Sequence, residues 1–285
     1  MAAAGEKAVR TLEKMHPAVC FLYLFAVLGL TAFAREPVTI AISLGCSTLL
    51  AGLSGGLKGA GWFGAVALTG ALANFLFVHN GETALFFIGD RAFTLEALCY
   101  GAFVGGMLAA VCLWGSCAVR FITADKYIWL FGRVFPAAGL VLSCAIRFLP
   151  MFIRTSREFA AVQNAQTVRS RLRAFSASVG YSAERAMDSA MSMKARGYGT
   201  SLRTNFSIYR FTEYTALAAA AVLISAGTAL TLRVFGAGEF FFYPALSEIP
   251  CAAADIAMYC AFAALCLLPS AVIVYRNIMW NVRER

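Results

Sequence analysis

Long apolar stretches separated by short polar segments dominate the amino-acid sequence. Six of them approach or reach the roughly 20 residues that an α-helix needs to cross the hydrocarbon core of a bilayer. They lie at about 17–34, 38–56, 61–79, 95–119, 212–232 and 255–275. The pattern therefore predicts an all-α polytopic membrane protein with about six transmembrane helices.

A seventh apolar stretch, at 134–152, contains Pro136, Arg147 and Pro150 and is flanked by basic residues. If it crossed the bilayer, the ten Lys and Arg of 154–210 would lie outside, against the positive-inside rule. If it lies along the inner membrane face, 21 of the 24 Lys and Arg are cytoplasmic. We therefore expect a multi-pass protein of the cell (inner) membrane with both termini in the cytoplasm.

This topology divides the chain into an N-terminal membrane bundle of four spans (1–133), an inner-face helix with two cytoplasmic helices (134–210) and a C-terminal part with two spans (211–285). Ala32-Phe33-Ala34 is similar to a signal-peptide cleavage site. The preceding apolar stretch is longer than a usual signal peptide core and further spans follow, so we expect it to be retained. Gly101-x-x-x-Gly105 favours close helix packing within the chain.

The composition excludes several classes of function. The chain is 60% hydrophobic and 14% charged, with a mean hydropathy of +0.72. Its net charge of +9 falls mainly on cytoplasmic segments, which is typical of a membrane protein rather than of nucleic-acid binding. The nine cysteines show no disulfide or zinc spacing. Catalytic and nucleotide motifs are absent, and ionisable residues stand at span ends. We expect no enzyme activity, no metal and no cofactor.

The basic segment between Ile153 and Arg210 predicts two cytoplasmic helices, at about 155–175 and 182–196. The break is expected at 176–182, with Gly180 as the stop and Ser182 as the next N-cap. The second helix has an adaptable apolar face, and Gly197 is expected to end it in a left-handed conformation. The face consists of Met187, Ala190, Met191 and Met193.

Arg196 ends the second helix between Ala195 and Gly197, whose small size leaves its guanidinium uncrowded. Spacing alone leaves three interpretations open. Arg196 binds a partner, or it complements the negative end of the helix dipole, or it belongs to a basic helix resting on anionic lipid.

Four motifs together resemble the membrane-embedded coupling (T) component of energy-coupling-factor (ECF) transporters, the ABC-type importers of vitamins and of cobalt or nickel ions. The resemblance covers about residues 11–232, and its second coupling motif is the most specific part. The first coupling motif departs from the family because Val168 replaces a small residue, which leaves Arg171 and Arg173 as alternatives to Arg169. The motifs are Met15-His16-Pro17, Arg147-Phe148-Leu149-Pro150, Gln163 to Ser170 and Ala183 to Tyr198.

The resemblance implies two coupling helices that cross beneath the membrane, each of which docks an arginine on one of two cytosolic ABC-type ATPase subunits. It also implies a small membrane-embedded substrate-binding subunit as a partner within the lipid bilayer. The implied ATPase-coupling residues are Val168, Arg169, Ser170, Ala195, Arg196 and Gly197, and the implied inner-face motif is Arg147, Phe148 and Pro150. The substrate, a vitamin or a metal ion, stays open. The alternative function is a self-sufficient small-solute permease or channel.

Overall fold

The computed structural model describes residues 15–55, 60–78, 83–88, 91–162, 167–198, 209, 212–243 and 246–283. Within these ranges the regular structure is helical apart from one antiparallel hairpin. The helices are α1 (Pro17–Ala32), α2 (Pro37–Leu53), α3 (Ala60–Phe77), α4 (Leu95–Phe121), α5 (Ala124–Val134), α6 (Pro136–Val162), α7 (Val168–Ala195), α8 (Glu213–Val234) and α9 (Ala253–Arg283). The strands are β1 (Ala84–Ile88) and β2 (Arg91–Thr94).

Six helices correspond to the six predicted spans, and the all-α polytopic fold is confirmed. Among the residues that the structure describes, four helices are long and apolar enough to cross a membrane, namely α4, α6, α8 and α9. The helices α1, α2 and α3 are apolar but have only 16, 17 and 18 residues. A 16-residue helix is about 24 Å long, somewhat less than the roughly 30 Å hydrocarbon core. The location of 134–152 along the inner face stays a prediction.

The chain divides into two compact units. The first combines residues 1–123 with 211–285 and contains α1–α4, the hairpin, α8 and α9. The second comprises residues 124–210 and contains α5–α7. The sequence boundary proposed at 133/134 falls within the last turn of α5. The helix α5 packs closely against α6, since a Cβ on Gly139 would lie 2.5 Å from the Cα of Gly132.

The starts of the membrane helices follow local chemistry. Pro17 and Pro37 occupy the first turns of α1 and α2, where a missing N–H costs no hydrogen bond. His16 is buried and stands at the N-cap position of α1, so the His-Pro motif is a helix start. Thr94 caps α4 through its side-chain oxygen, and Glu96 lies in the first turn, where it complements the helix dipole.

Trp114 of α4 lies fully buried at the centre of the first unit. Its indole N–H donates to the Oγ of Ser43 on α2 at 2.9 Å. That oxygen lies 3.1 Å from the Oγ1 of Thr31 on α1. The ring of Tyr23 packs edge-on against the indole, with centroids 6.1 Å apart. These contacts make α4 the central helix that α1 and α2 pack against.

Two glycines allow α4 to approach α3 closely. A Cβ on Gly101 would lie 2.6 Å from the carbonyl oxygen of Ala71, and a Cβ on Gly105 would collide with the carbonyl of Ala67. The prediction that Gly101-x-x-x-Gly105 packs helices within the chain is confirmed.

Candidate functional site

The predicted coupling segment forms the second half of α6 and the whole of α7. The predicted break at 176–182 is wrong, because α7 continues through it and Ser182 is not an N-cap. The hydroxyl of Ser178 donates to the Phe175 carbonyl at 2.8 Å, and that of Ser182 to the Ser178 carbonyl at 2.7 Å. Such bonds keep serine side chains within a helix. Gly180 interrupts nothing and faces open space.

The helix α7 starts after Thr167. The backbone N–H of Thr167 donates to the Oγ of Ser170 at 3.1 Å, and the Ser170 hydroxyl donates to the Thr167 carbonyl at 2.7 Å. Ser170, which was predicted to belong to a coupling triplet, therefore fixes the start of the helix. The other two members of the triplet, Val168 and Arg169, are exposed on the first turn.

The end of α7 matches the sequence prediction. Gly197 has a φ of +79°, which confirms the expected left-handed conformation. Its N–H donates to the Lys194 carbonyl at 3.0 Å, and the N–H of Tyr198 donates to the Met193 carbonyl at 3.1 Å, which is a Schellman motif. Arg196 occupies the C-cap and is exposed. Its guanidinium makes no hydrogen bond or ion pair with any residue that the structure describes.

An apolar face remains uncovered along the second half of α7. In the described chain, the buried residues of this helix are Ala174 and Ser178, both in its first half. Apolar side chains in this arrangement are typical of a surface that a partner covers. The predicted members are Met187 (62% exposed), Met191 (71% exposed), Ala190 (exposed) and Met193 (half-buried).

The helices α6 and α7 contact each other through their middle parts. The rings of Phe152 and Phe175 meet edge-on with centroids 6.0 Å apart, and the hydroxyl of Ser156 donates to the Oγ of Ser178 at 3.3 Å. Ser178 is completely buried by this contact. Small hydroxyl side chains on both helices allow the close approach.

The predicted inner-face motif lies inside α6. Arg147 and Pro150 are exposed, whereas Phe148 lines a small crevice between α6 and α7 that also borders Arg185. The prediction of a separate element ending at 152 is wrong, because α6 continues to Val162. Pro150 offers no N–H to the carbonyl one turn earlier, so this point of the helix is weakened.

Arg169 and Arg196 lie at opposite ends of one helix, rather than at the tips of two short ones. They are 27 residues apart, which corresponds to about 40 Å along α7. The two helices in contact are therefore α6 and α7, and not the predicted 155–175 and 182–196. The remainder of the predicted first motif, at 163–166, lies outside the described residues.

The sequence pattern did not reveal a buried ionic cluster in the first unit. The carboxylate of Glu36 is completely buried, and its Oε1 lies 3.1 Å from an Nη2 of Arg233. The Thr39 hydroxyl donates to its Oε2 at 2.6 Å. Arg233 also donates to the Leu30 carbonyl at 3.2 Å, at the end of α1. One feature of the sequence could have indicated this cluster, because Glu36 and Arg233 flank spans on the same predicted side of the membrane.

A second buried carboxylate extends this cluster. Asp255 accepts hydrogen bonds from the N–H groups of Gly238, at 2.7 Å, and Ala252, at 2.9 Å, and so caps α9. Gly238 has a φ of +76°, and a Cβ there would collide with the carboxylate of Glu36. The cluster thus joins α1, α2, α8 and the start of α9. Among the described residues no group of three or more His, Cys, Asp or Glu could hold a metal ion.

No family model and no curated protein matches the chain. Its function is therefore inferred from its own residues and their geometry.

Proposed function

We propose that this chain is the membrane-embedded coupling subunit of an ECF-type importer. Two cytosolic ATPase subunits bind near the two ends of α7. Their movement during ATP binding and hydrolysis passes through α7 and α6 to a separate membrane subunit, which binds the substrate, a vitamin or a metal ion. ATP hydrolysis takes place in the partners, so this chain needs no catalytic residue or cofactor of its own.

The observation that carries the proposal is the exposed guanidinium of Arg196 at the end of α7, which makes no hydrogen bond or ion pair with any residue that the structure describes. A guanidinium presents five N–H donors in a fixed fork that fits a carboxylate or backbone carbonyls of a partner. Methionine and arginine are both enriched in protein interfaces. Met193 lies three residues before Arg196, on the same side of α7, and therefore favours a protein partner.

The Schellman turn gives Arg196 a defined position. Because the N–H groups of Gly197 and Tyr198 bond to carbonyls of the last turn, the chain leaves the helix axis directly after Arg196. Gly197 adds no side chain beside the guanidinium, so a partner surface can approach closely. An unbroken α7 also supports the proposal, because a continuous helix transmits displacement better than two short helices joined by a loop.

The proposal is tested by pull-down of the tagged full chain in mild detergent, combined with uptake assays. Arg196→Glu should reduce the recovery of nucleotide-hydrolysing partners at least tenfold and abolish uptake, because the loss of one partner from a buried charged contact costs about 2–5 kcal/mol. The matched control is Arg157→Glu, which makes the same charge change at an exposed position of α6.

Equal losses in Arg196→Glu and Arg157→Glu would contradict the proposal, because they would indicate a general charge effect such as lipid attraction. Arg196→Lys further distinguishes a protein partner from lipid attraction, because lysine keeps the charge and lacks the forked geometry of the guanidinium. Full activity of this variant would favour a lipid-surface role. Solute transport by the purified chain in liposomes without ATP would instead support a self-sufficient permease.

A further inference from the structure

The short helix α5 begins directly after the end of a membrane helix. Two residues separate Phe121, the last residue of α4, from Ala124, the first residue of α5. Because three extended residues span at most about 11 Å, α5 begins within that distance of the end of α4. With its 11 residues α5 is about 16 Å long, so it cannot cross the roughly 30 Å hydrocarbon core.

The end of α4 lies beside the end of α2. The guanidinium of Arg120 donates to the carbonyl of Ser54, the C-cap residue of α2, at 3.2 Å. Both helices belong to the membrane bundle, and an arginine near the end of a membrane helix extends its charged group to the headgroup region. The start of α5 therefore lies in or next to the headgroup region of this leaflet.

Three aromatic side chains form an exposed face on α5. Tyr127, Phe131 and Phe135 follow one another at intervals of four residues and so share one side of the helix. The N–H of Phe135 donates to the Phe131 carbonyl at 2.8 Å, so the helical path continues to this residue. The rings of Tyr127 and Phe131 are stacked with centroids 6.4 Å apart and an interplanar angle of 10°. The three side chains are 40%, 44% and 62% exposed, and we call this surface the aromatic face of α5.

The burial of charged and apolar side chains on α5 is the reverse of that in a water-soluble unit. Lys126 lies about 140° around the helix from Phe131 and is completely buried. Asp125 lies about 120° away in the other direction and is exposed. A surface helix in water buries its apolar side and exposes its charges. The exposed aromatic face therefore indicates apolar surroundings on this side of α5.

The lipid of the adjacent leaflet is the apolar partner that α5 can reach without any other protein. The covalent link to α4 keeps the start of α5 within about 11 Å of the membrane helices. Apolar segments of about 10–14 residues are typical of interfacial helices, and tyrosine is enriched at the level of the headgroups. The length of α5, its aromatic composition and its attachment to α4 thus agree on one location.

We propose that α5 is an interfacial helix whose aromatic face inserts between the headgroups and acyl chains of the leaflet at which α2 and α4 end. The insertion holds the start of the second unit at the membrane surface, whether or not α6 crosses the bilayer. The inference depends on membrane embedding and is independent of the proposed coupling function.

The test is electron paramagnetic resonance of the full chain in nanodiscs of phosphatidylcholine and phosphatidylglycerol. Single cysteines in a cysteine-free background carry a nitroxide label. The measured quantities are the collision rates of the label with oxygen, which concentrates in lipid, and with a water-soluble nickel chelate. For Phe131→Cys the collisions with oxygen should exceed those with the chelate by about threefold, because the label lies in lipid. Asp125→Cys, at an exposed position of the same helix, is the matched control and should show the reverse.

A second measurement uses a label at Phe135→Cys and tests whether the aromatic side chains cause the insertion. Phe131→Asp should raise the collisions of this label with the nickel chelate about threefold, because a carboxylate is costly to bury in hydrocarbon. Asp125→Asn should leave these collisions unchanged. If Phe131→Asp is not monodisperse, Phe131→Ser should give a smaller increase, and no increase there would overturn the proposal.

Two further outcomes would overturn the proposal. If the labels at Phe131→Cys and Asp125→Cys collide equally with the nickel chelate, the aromatic face lies in water and is left for a partner protein to cover. If neither reagent reaches the label at Phe131→Cys, the face is buried within the protein. Uptake measurements do not enter this test, so its failure leaves the coupling proposal unaffected.

Discussion

Arg169 and Arg196 have opposite electrostatic settings, although both stand at an end of α7. Arg196 lies at the C-terminus, where cations are stabilised by the helix dipole, together with Lys194 in the last turn. Arg169 lies in the first turn, where the dipole disfavours a cation and no acidic residue compensates. Helix stability explains an arginine at 196 but not at 169.

This difference gives a prediction that separates stability from function. Arg169→Gln should raise the thermal midpoint slightly and Arg196→Gln should lower it slightly, each by an amount corresponding to no more than about 1 kcal/mol. Both should reduce uptake. The measurement is thermal unfolding in detergent beside transport in cells. Loss of uptake in Arg169→Gln without loss of stability would identify a binding role, whereas unchanged uptake would remove Arg169 from the proposed site.

The buried pair Glu36–Arg233 leads to a prediction about stability. Arg233→Gln should destabilise the chain by about 3–5 kcal/mol, because it leaves the Glu36 carboxylate buried without its cation. Thermal unfolding measures this effect. Arg35→Gln, at an exposed neighbouring position, is the control and should change little. The double variant Glu36→Gln/Arg233→Gln should recover part of the loss, and failure to recover any would argue against a direct pair.

At the level of helices and strands, the helices with long apolar sequences could be predicted, because a segment that crosses lipid must have a certain length and an apolar composition. The continuity of α7 could not be predicted, because serine and glycine are typical of loops and yet fit a helix when hydroxyls bond back to carbonyls. The hairpin was missed as well. Its aromatic segments flank Gly89-Asp90, a typical turn pair, but they are only five and four residues long.

Gly180 provides a test at the level of the α7 helix. Gly180→Ala should stabilise α7 by about 1 kcal/mol, because glycine is a poor helix former and its Cβ position faces open space. The increase is measurable as a higher thermal midpoint. The control is the reverse change Ala177→Gly, one turn earlier at a half-buried position, which should lower the thermal midpoint. A lower midpoint for Gly180→Ala would contradict a straight, unstrained α7 at this residue.

For the whole molecule, the remaining question is the side of the membrane on which α7 lies. Charge predicts that α6 does not cross, although its length and composition allow it. In a cysteine-free background, an impermeant maleimide should label Phe241→Cys in intact cells and Ser192→Cys only after permeabilisation. If α6 crosses, the two results exchange. Labelling of both after permeabilisation shows that each thiol is reactive.

Part of the candidate site could be predicted from the sequence, because some of its features depend only on neighbouring residues. The helix end that Gly197 forms after Arg196 is such a feature. The continuity of α7 was not, since it depends on the contact with α6 at Ser178, which no local pattern specifies. Likewise, the Glu36–Arg233 cluster joins residues 197 positions apart in the sequence. Side chains that meet only through the packing of distant helices leave no periodic pattern in the sequence from which their contact could be predicted.

The contact between Ser156 and Ser178 divides α7 into two arms of unequal length. Arg196 is 18 residues from Ser178 and Arg169 only nine, or about 27 Å and 14 Å along the axis. If the helix pivots there as a stiff rod, each degree of rotation displaces Arg196 about 0.5 Å and Arg169 about 0.25 Å. Equal displacements at the two ends would then require different rotations of α7. Under the coupling proposal, two ATPase subunits at these ends would contribute unequally to the movement of α6.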